Sequence, residues 1–237
     1  MRRVTVLLLL FVIPVLALAQ AKPQSQLRPL AFTHVTIIDA TGAAAKPDMT
    51  VVIAGERIAA IGQNGKVHIP RGSQVIDAAG KFLVPGFWDM HVHLAKSGEN
   101  TLPLFIVNGV TSVRDMGGDP ELLLRWRRDV AEGKRLGPRI KTPGPILESA
   151  SNVERMKREG TVEPVDHFRR GIPNPESAQA VVDSVAKLGV DFLKIRTVAS
   201  LETYRAIAAA ARERKLSLCW SSCCLSRRND QSGTTQH

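Results

Sequence analysis

The stretch that decides the fold runs Val84-Pro85-Gly86-Phe87-Trp88-Asp89-Met90-His91-Val92-His93-Leu94. Apolar residues from Phe82 and Leu83 lead into it, and the Pro-Gly pair marks a break near its start, so the stretch is predicted to be a strand. Residues two apart on a strand point to the same face, which brings the Cα atoms of His91 and His93 to about 6.5 Å from each other. Two imidazoles at this spacing can converge on one metal ion. A histidine pair on a solvated strand face is the alternative interpretation.

The amino-terminal residues have the pattern of an export signal. Two arginines precede an apolar run over residues 4–18, and Ala17-Leu18-Ala19 is a small-x-small cleavage site. We therefore predict a signal peptide over residues 1–19, followed by a polar linker over residues 20–30. The protein is then periplasmic or secreted and has no stable membrane span once the signal is removed. An uncleaved membrane anchor is the alternative.

Residues 31–81 have the pattern of short strands separated by turns. Apolar and β-branched runs are bounded by clusters that contain glycine, which is typical of a small β-sandwich segment. His34 and His68 lie in this part without a second candidate ligand at a useful spacing. We interpret both as structural or surface residues.

After His93 the pattern alternates between strands and helices. Strand-like and helical runs occur at residues 102–107, 110–115, 120–131, 139–142, 175–188, 190–196, 201–214 and 216–218. This alternation predicts a parallel sheet with right-handed crossovers. We therefore predict an α/β fold in which residues 82–218 form an incomplete (β/α)8 TIM-type barrel of about four βα units.

The stretch over residues 147–175 is long, charged and poorly periodic. We predict a loop at the mouth of the barrel, where substrate specificity is usually determined. His167 lies in this stretch and is interpreted as a solvated residue, with contact to substrate as the alternative.

The composition argues against nucleic-acid binding. The net charge is +10, but the basic residues are spread along the chain and are not interleaved with aromatic residues. Hydrophobic residues make up 44% of the chain, which permits a packed core. All the cysteines fall within residues 219–224, so the body of the protein is predicted to fold without disulfides.

Two stretches resemble the metal-dependent amidohydrolase superfamily, in particular its imidazolonepropionase-like enzymes and Xaa-Pro or Xaa-Arg dipeptidases. Residues 84–94 resemble the family's first-strand signature, which implies that His91 and His93 are metal ligands. Residues 189–195 resemble the segment that carries a carboxylated lysine, which implies that Lys194 bridges two divalent ions, most often zinc. Judged from the residues alone, Lys194 is also consistent with a lysine at a strand end whose stem reaches solvent.

The resemblance implies hydrolysis of a carbon–nitrogen bond by a metal-activated hydroxide. The implied substrate is a small-molecule amide or dipeptide, and the fold alone does not fix which one. In the family, two further histidines and an aspartate follow later strands. These positions lie beyond the part of the pattern that this chain matches, so no catalytic residue is predicted within it.

The resemblance ends near Leu218. Residues 219–224 are expected to form neither strand nor helix, and we interpret residues 219–237 as out-of-frame translation, with a selected tail as the alternative. The chain is then the first half of an exported hydrolase and is expected to be inactive alone. A non-catalytic fragment that lacks the remaining metal ligands is the alternative function.

Overall fold

The computed structural model describes residues 28–160 and 165–220, together with the backbone of Cys223 and Cys224. The signal peptide predicted over residues 1–19 lies outside these residues, as does most of the tail. Two compact units are present, one within Met1–Pro85 and the other within Gly86–His237. Within the described ranges, no helix combines the length and the apolar composition needed to cross a membrane.

The first unit is a five-stranded sheet. Its strands are β1 Leu30–Ile37, β2 Lys46–Ala54, β3 Arg57–Gln63, β4 Gln74–Asp77 and β5 Phe82–Leu83. The order is β3-β2-β1-β4, with β5 also paired to β1. The first three strands are antiparallel, whereas β4 and β5 run parallel to β1. Val35, Ile37 and Val51 form the buried face of this sheet with Ala78.

The prediction that Phe82 and Leu83 lead directly into the histidine-bearing strand is wrong. Both residues pair with β1, at Thr36 and Ile37, and so belong to the first sheet. The Pro85-Gly86 pair separates them from the strand that follows. A two-residue strand without its own periodicity cannot be assigned to a sheet from sequence, because its partner lies about 45 residues away.

The second unit begins with a three-stranded parallel sheet. Its elements are β6 Phe87–Val92, α1 Leu94–Ser97, α2 Leu102–Val107, β7 Val110–Asp115, α3 Pro120–Ala131 and β8 Arg139–Lys141. The strand order is β6-β7-β8. Asp119 caps α3 as its side chain accepts hydrogen bonds from the amides of Glu121 and Leu122, and Pro120 opens the helix, as predicted.

A second group of parallel strands follows. Its elements are β9 Ile146–Ser149, α4 Ala150–Glu159, α5 Val165–Phe168, β10 Arg169–Ile172, α6 Ala178–Ala186, β11 Phe192–Ile195, α7 Leu201–Glu213, β12 Ser217–Trp220 and β13 Cys223–Cys224. The order is β10-β9-β11-β12-β13, and only β13 is antiparallel to its neighbour. A short 3-10 turn, Pro175–Ser177, precedes α6.

Residues 139–149 connect the two groups of strands. Their first part, β8, pairs with β7, and their last part, β9, pairs with β11. Between them, the carbonyl of Thr142 accepts a hydrogen bond from the amide of Asp191. The parallel arrangement therefore continues from β6 to β12. The predicted α/β fold with parallel sheets is confirmed, while the β-sandwich and the eightfold barrel stay predictions.

The two faces of β11 have different surroundings. Leu193 and Ile195 are buried on the face covered by helices α6 and α7, together with Val182 and Ile207. Phe192 lies on the opposite face and packs against Met116 and Cys219. Because side chains alternate along a strand, Lys194 projects to the same face as Phe192.

The prediction that residues 147–175 form a loop is wrong. This stretch contains a fully buried strand, an amphipathic helix that buries Val153 and Met156, and a second strand. Its charged residues gave it a solvated appearance, but Glu148 and Arg169 are buried and paired with each other. Charges that neutralise one another in the interior cannot be distinguished from solvated charges by composition.

The expectation that Cys219 and Trp220 form no regular structure is also wrong. They extend β12 and pair in register with Lys194 and Ile195. A parallel ladder is made by backbone groups, so β12 continues beyond Leu218 although the sequence pattern changes there. The out-of-frame interpretation concerns the gene and stays a prediction.

Candidate functional site

His91 and His93 lie together at the carboxyl end of β6. His91 is the fifth residue of the strand, and His93 follows its last residue and precedes α1. Their ring centroids are 5.5 Å apart, with an angle of 65° between the ring planes. His91 is exposed and His93 is half-buried. The two imidazoles are thus close to one another and accessible from solvent, as the spacing in the sequence predicts.

The orientation of His93 is set by the loop that follows β7. Its Nδ1 lies 3.0 Å from the carbonyl oxygen of Gly117. A carbonyl oxygen can only accept a hydrogen bond, so Nδ1 must carry the proton and donate it. The lone pair of the neutral ring is then on Nε2. This is the arrangement found in metal-ligating histidines, in which one ring nitrogen binds a backbone carbonyl and the other binds the metal.

Asp115 was not identified from the sequence, and its carboxylate binds the backbone at both partners of the His93–Gly117 hydrogen bond. One carboxylate oxygen accepts from the amide of Leu94 at 2.7 Å, and the other accepts from the amide of Gly117 at 2.8 Å. Asp115 therefore fixes the backbone directly after His93 and the residue that orients its ring. A carboxylate at the end of the predicted strand Val110–Asp115 was the available signal.

Burial of the Asp115 carboxyl makes the stability of the folded chain depend on pH. The side chain is fully buried, and desolvation raises the pKa of its carboxyl from 3.8 to about 6, against the lowering effect of its two backbone hydrogen bonds. Since the folded chain binds this proton more tightly than the unfolded chain does, stability is highest below pH 4 as far as Asp115 is concerned. It is lost as the pH rises through about 6.

We expect the contribution of Asp115 to the free energy of unfolding to fall by about 3 kcal/mol between about pH 4 and pH 7. Urea unfolding of the metal-free chain across this range measures the effect, and Asp115→Asn is the comparison because an amide does not titrate there. The difference between the two unfolding free energies should change with pH. A difference that stays constant from about pH 4 to pH 7 would contradict the prediction.

Lys194 lies in β11 and influences His91 electrostatically. Lys194 is 4% exposed. In the parallel pairing of β11 with β12, its register partner is Cys219. The pKa of His91 is lowered chiefly by partial desolvation, then by the charge of His93 and next by that of Lys194. Lys194 is therefore within electrostatic reach of His91. A lowered pKa keeps the imidazole of His91 neutral at pH 7, the form that can donate a lone pair to a metal ion.

The remaining histidines of the described residues lie elsewhere. His34 contacts Asp48 and Asn64 in the first unit, and His167 in α5 lies 4.0 Å from Asp119. Within the described ranges, no three side chains of His, Cys, Asp or Glu converge to form a metal site. The candidate site is the pair His91 and His93, with Lys194 within electrostatic reach of His91.

Comparison with known proteins identifies relatives of part of the chain. No family model matches it. An adenine deaminase of Mesorhizobium japonicum is 42% identical over 124 residues, which cover 47% of this chain and 20% of the relative. An imidazolonepropionase of Streptomyces griseus is 46% identical over 54 residues, which cover 23% of this chain and 13% of the relative.

A solved structure extends the likeness to most of the chain. A prolidase crystallised with N-methylphosphonate-L-proline has a TM-score of 0.68 and 24% identity, covering 81% of this chain and 55% of the prolidase. At this identity the likeness concerns the fold, an α/β fold with parallel sheets. The chain spans about half the length of the prolidase and a fifth or less of the two curated relatives.

Proposed function

Since the chain belongs to the amidohydrolase superfamily, we propose that it contributes the first metal ligands of a hydrolase that cleaves a carbon–nitrogen bond. The observation that carries this proposal is the hydrogen bond from Nδ1 of His93 to Gly117, which leaves Nε2 available as a ligand. The lowered pKa of His91 favours the neutral, ligating form of the imidazole beside it.

The residues of the site fit a divalent metal ion, with zinc as the expected ion. His91 and His93 would hold it, since imidazole nitrogens are among the preferred ligands of zinc. When bound, the metal would lower the pKa of a water molecule towards about 7 and so supply a nucleophile at neutral pH. Asp115 and Gly117 keep His93 in the ligating orientation.

Lys194 would become a third ligand by carboxylation. The neutral amine adds to CO2, a nitrogen–carbon bond forms, and one proton is released to solvent, which leaves a carbamate with one negative charge. Burial of Lys194 favours the neutral amine that this reaction needs. His91, His93 and the carboxylated Lys194 would hold two zinc ions, whose positive charge would offset the negative charge of the carbamate.

The proposed substrate is a small amide or dipeptide, and the proposed location is the periplasm or the exterior of the cell. Three similar proteins, named as an adenine deaminase, an imidazolonepropionase and a prolidase, support a small-molecule substrate. The apolar run at residues 4–18, which follows two arginines, supports export.

We expect the 237-residue chain to retain zinc after desalting when it is refolded with Zn2+ and bicarbonate, and Lys194→Met to retain less. Elemental analysis measures the retained metal, and release of free amine from a panel of dipeptides measures hydrolysis. Lys187→Met is the matched control, because Lys187 is an exposed lysine on the carboxyl side of α6.

The results separate the parts of the proposal. A wild-type chain that retains no zinc would contradict the metal site. Equal zinc retention in Lys194→Met and Lys187→Met would exclude Lys194 as a ligand. Zinc retention without amine release is the result expected of a chain that supplies only the first metal ligands, whereas amine release by the 237-residue chain would contradict the expectation that it is inactive alone.

A further inference from the structure

Glu148 is a carboxylate in the interior that the proposed function does not use. It is the third residue of β9 and is fully buried. Its neighbour Leu147 packs on the helix-covered face of the sheet. By the alternation of side chains along a strand, Glu148 projects to the opposite face, which is also the face of Lys194.

The carboxylate of Glu148 connects three segments of the chain. Oε1 accepts from Nη1 of Arg169 at 3.0 Å and lies 3.4 Å from Nη1 of Arg196. Oε2 accepts from the hydroxyl of Thr197 at 2.6 Å and from Nδ2 of Asn152 at 2.7 Å. These partners lie in β10, directly after β11, and in α4. A buried carboxylate with this many donors orders every segment that supplies one.

Two hydrogen bonds with backbone amide donors join the same region of β9 to the end of β11. The amide of Arg196 donates to the carbonyl of Leu147 at 3.0 Å. The amide of Ser149 donates to the hydroxyl of Thr197 at 3.1 Å, and that hydroxyl donates to Glu148. Thr197 is thus held from both sides, three residues after Lys194. The carboxyl end of β11 is therefore held by one backbone hydrogen bond and by the Arg196 and Thr197 side-chain contacts, which depend on Glu148.

We propose that Glu148 is a positioning residue that fixes the carboxyl end of β11 and thereby directs the Lys194 side chain toward the histidines. The inference rests on the proposed function, because it gives Lys194 a ligating role. Loss of the Glu148 contacts releases Arg196 and Thr197, and Lys194 then samples more orientations. Residues that orient a ligand in this way change metal affinity by about 10–100-fold when they are replaced.

Asp191 provides a matched control at the amino end of the same strand. Its carboxylate accepts from Nη1 of Arg127, Nζ of Lys141 and the amide of Thr142, at 2.8, 2.8 and 3.0 Å. It therefore also binds two cations and one further donor, but it precedes β11. Asp191→Asn disturbs the strand at the end remote from the histidines.

The experiment compares Glu148→Gln with Asp191→Asn in the full 237-residue chain. The first readout uses metal-free protein and measures the acetylation rate of Lys194 relative to Lys187 by peptide mass spectrometry. We expect Glu148→Gln to raise this ratio about tenfold, the effect of losing one hydrogen bond to a charged group. The second readout is Co2+ affinity from its visible absorption, which should fall at least tenfold in Glu148→Gln. Asp191→Asn should leave both readouts within about twofold of wild type.

Equal changes in the two variants would overturn the proposal, because Glu148 would then act only through general stability. An unchanged acetylation ratio in Glu148→Gln would also overturn it. If the wild-type chain binds no Co2+, the proposed function fails, and the acetylation ratio alone decides the role of Glu148. If Glu148→Gln does not fold, Thr197→Val replaces it. That variant removes only the hydroxyl between Ser149 and Glu148 and should shift both readouts in the same direction.

Discussion

Replacing His93 by alanine is expected to lower the affinity of the chain for Zn2+ by about 100-fold or more. Structural zinc sites with four ligands bind with about 10–16 kcal/mol, so one ligand accounts for about 3 kcal/mol on average. His93 also has an oriented ring, because its Nδ1 donates to Gly117, and its loss removes a ligand whose orientation is already fixed. Competition with a chromogenic chelator at pH 7 measures the affinity.

His68→Ala is the control for this prediction. His68 is an exposed histidine of the first unit, outside the sheet strands. Its replacement should leave zinc affinity within about twofold, because a single exposed imidazole binds zinc weakly. Equal loss of affinity in both variants would indicate non-specific binding by surface histidines. Unchanged affinity in His93→Ala would contradict the proposed site.

The parallel α/β fold and the histidine pair were predictable because both depend on short-range patterns. Alternation of strands and helices is visible within windows of 10 to 15 residues, and it identified β7, α3, β11 and α7. The histidine pair needed only the two-residue period of a strand. The cap at Asp119 is equally local, since its partners are two and three residues away.

Contacts between distant residues explain what sequence analysis missed. Asp115 binds an amide 21 residues earlier, and Glu148 binds arginines 21 and 48 residues later. Neither pairing leaves a local pattern. Composition alone also made residues 147–175 resemble a loop, although two of its charged residues, Glu148 and Arg169, are buried and paired with each other. Buried polar groups that form hydrogen bonds or ion pairs with one another are recognisable only once the positions of the strands in the sheet are known.

Gly117 connects the fold to the candidate site, and Gly117→Ala is expected to destabilise the chain by about 2–6 kcal/mol. Its φ of +115° lies in a region that L-residues rarely adopt, which costs about 1–3 kcal/mol for alanine. An added Cβ would also collide with the side chain of Ile146, and overpacking of this kind costs about 1–3 kcal/mol. Urea unfolding measures the loss, which is a large fraction of the stability of a typical domain.

Gly133→Ala separates backbone strain from the collision. Gly133 has a φ of +69°, and a Cβ there would meet nothing within 4 Å, so we expect a loss of only about 1–2 kcal/mol. Ile146→Ala should destabilise the chain less in the Gly117→Ala background than in the wild type, because it also removes the colliding atoms. Gly117→Ala should also weaken zinc binding, since the carbonyl that orients His93 belongs to the displaced residue. Equal destabilisation by Gly117→Ala and Gly133→Ala, with no change in zinc affinity, would show that neither the packing against Ile146 nor the orientation of His93 depends on this glycine.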